Sequence, residues 1–185
     1  MLFDHAINPC PAHVQSCMIT TEDGYRLRSA SWVPSGKCFG TILMLQGRAE
    51  FIEKYFEPIT RFLDLGFAVI SFDWRGQGGS DRLLPDRMKG HIERFADYQK
   101  DLQAVQTYYA ELFQRPVLVF AHSMGGMVLL QNLHRQPAFA KAAILTSPML
   151  DIQHLRQQTW LKHVISICCL LGFKNHYPPL YRSQS

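Results

Sequence analysis

The chain alternates between short, wholly apolar runs and longer stretches in which apolar residues recur every three or four positions. Residues 39–45 (FGTILML) and 67–72 (FAVISF) are continuous apolar runs of strand length, as expected of strands buried on both faces. A third run, Val117 to Phe120, is opened by Pro116, and a fourth lies near 141–146 (KAAILT). Ahead of them, 16–22 and 25–33 predict a strand pair turning at Asp23-Gly24. Residues 51–65 place Ile52, Tyr55, Phe56, Ile59, Phe62 and Leu63 on one helical face closed by Gly66, with Pro58 marking either a kink or the true start. Phe95, Tyr98, Leu102, Val105, Tyr109 and Leu112 predict a long helix. Met127, Val128, Leu129, Leu130 and Leu133 predict another that ends before Pro137. No internal repeat, low-complexity tract or linker breaks this order. Two hairpin-like strands followed by alternating helices and strands predict an α/β fold, a mostly parallel sheet with helices on both faces.

Chemistry gathers where the 117–120 strand meets its helix, at Ala121-His122-Ser123-Met124-Gly125-Gly126. A serine at a sharp strand-to-helix turn has its hydroxyl lifted out of the sheet toward a substrate. The strain of such a turn admits only small residues two before and two after the serine, as Ala121 and Gly125 are. A serine that merely caps a helix is the plainer alternative. Strand, small residue, serine, small residue and helix in succession favour the nucleophile turn.

A second loop, Asp73-Trp74-Arg75-Gly76-Gln77-Gly78-Gly79-Ser80, is rich in glycine but has neither a Walker lysine nor dinucleotide-fold spacing. It is expected to be a structural turn braced by Asp73, Arg75 and Ser80, and Asp73 is not expected to be a catalytic acid. Composition narrows the rest. A chain of 185 residues, 47% hydrophobic, can bury one substantial core, and a net charge of +4 does not point to nucleic acid. Cys10, Cys17, Cys38, Cys168 and Cys169 lack metal-ligand spacing and read as free thiols in a reducing, cytoplasmic compartment. No metal or cofactor is expected. The N-terminus lacks the positive start and apolar run of a signal peptide, and Val164 to Phe173 is too short to span a bilayer.

The segments QGRAE-FIEKY, FDWRGQGGSDRLLPD, GHIERFADYQKDL, VFAHSMGG and LTSPML, in that order, resemble the lysophospholipase and monoacylglycerol lipase branch of the α/β-hydrolases, bacterial lysophospholipases above all. The resemblance runs from about residue 16 to 151. It implies an α/β-hydrolase core over 1–150, with strands one to six, and the start of a helical cap over 151–185. By the same resemblance Ser123 is the nucleophile, and the backbone N–H groups of Arg48 and Met124 form the oxyanion hole. Gly47 suits the close approach of backbone to a developing oxyanion, although an ordinary glycine turn is the competing reading. The implied substrate is a lipid-like single-chain acyl ester, a lysophospholipid or a monoacylglycerol. Gln46 departs from the histidine common before this glycine.

The larger departure comes after Leu150. The triad acid and histidine follow the serine in this fold, after the seventh and eighth strands, and no clear pair of further strands is visible. The C-terminal strands are therefore expected to be missing, the core truncated, and activity impaired. Asp151 with His154, His163 or His176 offers only a weak substitute; His122 is expected to point elsewhere and His91 to be a loop residue. A last strand left open, Ala142 to Leu145, invites self-association or pairing with another chain, so the alternative function is a non-catalytic interaction module. A peptidase of the same fold is a third possibility. Trp160 to Phe173 could line the acyl pocket, the favoured reading, or rest peripherally on the inner face of a membrane.

Overall fold

Six strands hydrogen-bond into one sheet in the computed structural model, which describes residues 2–114, 116–151 and 159–173. They are β1 (Gln15–Thr20), β2 (Arg26–Trp32), β3 (Gly40–Leu45), β4 (Phe67–Phe72), β5 (Val117–His122) and β6 (Ala142–Thr146), in the spatial order β1-β2-β4-β3-β5-β6. β1 and β2 pair antiparallel, as do β2 and β4, whereas β3 pairs parallel with β4 and β5, and β5 with β6.

Alternation along the central strands divides the core in two. On β3, Ile42 and Met44 join Trp32, Val69, Phe56 and Ile59 on the face covered by helix α1 (Phe56–Asp64). Leu43 and Leu45 join Ile70, Val119, Leu102, Val105 and Val128 on the other face, under α2 (Tyr98–Tyr108) and α3 (Met124–Arg135). Both faces of β3 and β4 are thus buried, which is why these strands carry no polar alternation. The α/β sheet with helices on both faces stands as expected.

The element boundaries differ in instructive ways. The helical pattern of 51–65 begins as a 3₁₀ turn, Ile52–Tyr55, before α1 takes over at Phe56. Pro58 therefore sits in the first turn of α1, where its missing N–H has no intrahelical acceptor to lose. The single long helix expected over 95–112 is instead a 3₁₀ turn at Phe95–Asp97, then α2, then a 3₁₀ turn at Leu112–Gln114. Spacings of three and four bury one face in either helix type, so the pattern cannot distinguish them. β1 stops at Thr20, short of residue 22, because the Thr21 N–H and hydroxyl both turn to the Tyr25 carbonyl to close the hairpin.

β6 has a half-buried Leu145 packed toward the α2–α3 side, but Ile144 is 59% exposed and Ala142 and Ala143 are exposed as well. The chain divides into two compact units, Met1–Met149 and Leu150–Ser185. In the second, α4 (Thr159–Leu170) presents exposed Trp160, Ile167 and Leu170. Among the described residues no helix is long and apolar enough to cross a membrane.

Candidate functional site

β3 and β5 are parallel neighbours with Leu45 opposite Ala121, so both strands end at the same level. The segments that follow them, Gln46–Glu50 and His122–Gly125, therefore start side by side. Ser123 has φ 48° and ψ −113°, a left-handed conformation that costs a residue with a Cβ about 1–3 kcal/mol. Backbone bonds hold it there. Its N–H donates to the Thr146 carbonyl at 3.0 Å, and its carbonyl accepts from the Met149 N–H at 3.0 Å and the Gly126 N–H at 3.1 Å. The side chain is half-buried, and among the described residues its hydroxyl forms no hydrogen bond. Met124 opens α3, so its N–H has no acceptor within the helix.

The small residues flanking the serine have a geometric cause. Ala121 is fully buried, and a Cβ on Gly125 would lie 2.3 Å from the Leu45 carbonyl oxygen and 2.7 Å from that of Gln46. The helix start is thus pressed against the end of β3, with backbone that cannot swing aside. Gly125→Ala is expected to cost about 3 kcal/mol through overpacking, seen as a lower urea midpoint at unchanged slope. A midpoint equal to the parent's would contradict the packing.

The loop after β3 is held at both shoulders. The Gly47 N–H donates to Glu50 Oε2 at 2.7 Å, and the Ala49 N–H donates to Gln77 Oε1. Between them, the Arg48 N–H has no hydrogen-bond acceptor among the described residues. Gly47 is buried against His122, whose Cδ2 would lie 3.1 Å from an added Cβ. Glu50 also accepts from Tyr55 Oη at 2.6 Å and Lys54 Nζ at 3.0 Å. Burial alone would raise its carboxyl pKa, but the Tyr55, Lys54 and Gly47 donors outweigh it and hold the group below its ordinary value. Gln46 is fully buried: its carbonyl accepts from Trp74 Nε1 at 3.0 Å, and its amide pairs with the Ser71 hydroxyl at 3.0 Å.

The glycine-rich loop after β4 is braced by the three residues the sequence singled out. Asp73 accepts from Arg28 Nε at 2.6 Å, Gly79 N–H at 2.7 Å and Ile52 N–H at 2.9 Å, while Ser80 Oγ donates to the Asp73 carbonyl at 2.6 Å. Arg75 binds Asp101 through Nε at 2.7 Å and Asp23 through its terminal nitrogens at 2.7 and 3.0 Å. Hydrogen bonds from Arg75, set against partial burial, hold Asp23 well below the usual carboxylate range. The partners Arg28, Glu53, Asp23 and Asp101 escaped the sequence reading, since each lies far along the chain from the residue it binds.

No histidine among the described residues hydrogen-bonds Ser123. His122 Nδ1 lies 2.9 Å from Thr146 Oγ1, His91 is a loop residue 3.4 Å from Glu93, and His163 is exposed on α4. His154 and His176 fall outside the described residues, and Asp151 is exposed and not helical. No cluster of three His, Cys, Asp or Glu side chains among the described residues is placed to hold a metal ion. The structure thus brings Ser123, Met124, Ala121 and Gly125 beside Gly47 and Arg48, and among the described residues no acid–histidine pair contacts Ser123. Gln77 and Glu50 were missed, although an acid three residues past a loop glycine is a local signal for capping that glycine's N–H.

Comparison with known proteins gives this arrangement its lineage. Residues 36–179 match the family described as Serine aminopeptidase, S33. Lysophospholipase L2 of Escherichia coli (strain K12) is 40% identical over 115 residues, 60% of this chain and 33% of that protein. Monoglyceride lipase of Rattus norvegicus is 29% identical over 133 residues, 71% of this chain and 42% of that protein. The chain therefore spans between a third and a half of the length of these relatives. An α/β hydrolase from Novosphingobium aromaticivorans superposes with a TM-score of 0.58 at 23% identity, covering 73% of this chain and 44% of that one, a likeness of fold. With the match extending over residues 36–179 of 185, the chain belongs to the serine aminopeptidase S33 family of α/β-hydrolases.

Proposed function

We propose that this chain carries the nucleophile and oxyanion-binding parts of a serine hydrolase acting on single-chain acyl esters, lysophospholipids or monoacylglycerols. The observation that carries the reading is the juxtaposition of the left-handed Ser123 turn with a loop in which Arg48 alone, of three successive residues, keeps an uncommitted N–H. In this mechanism Ser123 Oγ attacks the ester carbonyl carbon and its proton passes to a base. The carbonyl oxygen takes up negative charge facing the N–H groups of Arg48 and Met124. The alcohol leaves with a proton, and water then hydrolyses the acyl-enzyme to the fatty acid. The base and its orienting acid are not among the contacts of Ser123 in the described residues, so turnover by this chain is expected to be slow. The relatives named lysophospholipase and monoglyceride lipase support the ester class, and the family's description raises amide hydrolysis as the competitor.

A second reading, a non-catalytic module that pairs with another chain or a second copy, draws on the exposed residues of β6. One experiment separates these. Fatty-acid release from a lysophospholipid or a monoacylglycerol, without release from an aminoacyl p-nitroanilide, supports the ester reading. Release from the anilide alone would overturn it. No hydrolysis, together with concentration-dependent sedimentation, would favour the second reading.

A further inference from the structure

We infer that Gln77 is a positioning residue for the donor loop, clamping the Ala49 amide so that the Arg48 N–H is the one left to meet the acyl oxygen. The inference rests on the ester-hydrolase reading above. Gln77 is buried, 3% exposed, in the loop that follows β4. Its Oε1 accepts the Ala49 N–H, while Nε2 donates to Tyr98 Oη at 3.4 Å and lies 3.9 Å from Met124 Sδ. A single carboxamide therefore touches the donor loop, the start of α2 and the residue that follows Ser123.

The role follows from what the loop would do without it. Ala49 has φ 60°, a left-handed conformation unfavourable for a residue with a Cβ. The bond from its N–H to Gln77 is its fastening to another part of the fold. On the other shoulder, Glu50 fastens Gly47, and Tyr55 and Lys54 hold Glu50 in turn. With both shoulders fixed, the peptide between them has its N–H direction set before substrate arrives, which is the condition for strong oxyanion stabilisation. A carboxamide suits the position because it offers an acceptor to Ala49 and a donor toward Tyr98. An apolar side chain of similar size offers neither.

The test is the reaction of the chain with a long-chain alkyl fluorophosphonate. The Ser123 Oγ–P bond forms as the P–F bond breaks, fluoride leaves with the bonding pair, and the serine proton passes to solvent. The phosphoryl oxygen gathers charge where the acyl oxygen would. For Gln77→Leu the inactivation rate constant is expected to fall about 100-fold, the lower end of what loss of one oxyanion donor costs, with the reagent's binding constant unchanged. Gln77→Glu keeps an acceptor for Ala49 and is expected to restore most of the rate. In amide hydrogen exchange, Ala49 loses protection in Gln77→Leu while Gly47 keeps it. Should Gln77→Leu not fold, Gln77→Asn, too short to span the gap, takes its place. Labelling of the variant at the parent rate, a change in binding constant alone, or failure of Gln77→Glu to recover the rate would each overturn the inference. Absence of labelling at Ser123 in the parent would overturn the hydrolase reading instead; the clamp then stands or falls on whether Ala49 protection depends on Gln77.

Discussion

Ser123→Ala is expected to abolish fluorophosphonate labelling of this chain, together with the slow ester turnover expected of it, while leaving the fold nearly as stable as before. Both halves follow from the turn. The substitution keeps the Cβ, so the left-handed strain at this position is unchanged, and it removes a hydroxyl that forms no hydrogen bond among the described residues. No buried group is orphaned, and stability should shift by no more than about 0.5 kcal/mol. The backbone bonds that hold the turn, from the Ser123 N–H to Thr146 and to the Ser123 carbonyl from Gly126 and Met149, do not involve the side chain. Mass spectrometry of the labelled chain and of the variant checks the first half, and urea unfolding the second. A variant labelled as fully as the parent would move the nucleophile elsewhere; a large loss of stability would mean that the hydroxyl has a structural task.

Asp73→Ala is expected to destabilise the protein by about 3–5 kcal/mol, the range found on removing one partner from a buried ion pair. Asp73 is fully buried and receives Arg28 and two backbone N–H groups, those of Ile52 and Gly79. Removing its carboxylate leaves the buried Ile52 amide and the Gly79 amide without that acceptor, and takes one carboxylate from Arg28, which also binds Glu53. The same three donors come from β2, the 3₁₀ turn after the Gln46–Glu50 loop and the loop after β4, so the substitution loosens three segments at once. Since a domain is stable by only about 5–15 kcal/mol, the loss should show as a large fall in the urea midpoint. Asp73→Asn, which keeps the shape and one acceptor, should lose less. A change under about 1 kcal/mol in the alanine variant would contradict the assigned role.

Much of the candidate site's local geometry was legible in the sequence because its signals are local. The small–Ser–small pattern between a strand and a helix, and the glycine after β3, follow from steric demands within a few residues, and the structure shows those demands as the close approach of Gly125 to Leu45 and Gln46. The apolar runs of β3 and β4 declared two-sided burial by themselves. The 3₁₀ turns around α2 did not, because three-residue and four-residue spacings leave the same apolar stripe. The donors to Asp73 were hidden for a different reason: Arg28 pairs with it across 45 positions of chain and with Glu53 across 25. Charge in a sequence does not say which partner it will meet.

What the sequence by itself determined is therefore the fold class, the strand order along the chain and the residues of the serine turn, since periodicity and steric permission act between near neighbours. What only the tertiary structure decided is which backbone groups are left without an acceptor among the described residues. Glu50 closes Gly47 from three residues away, but Gln77 closes Ala49 only because β3 and β4 lie side by side and bring their following loops together. The freedom of the Arg48 N–H is what remains after those two bonds form. Hydrogen bonding between distant segments depends on register and direction, which residue identity alone does not encode.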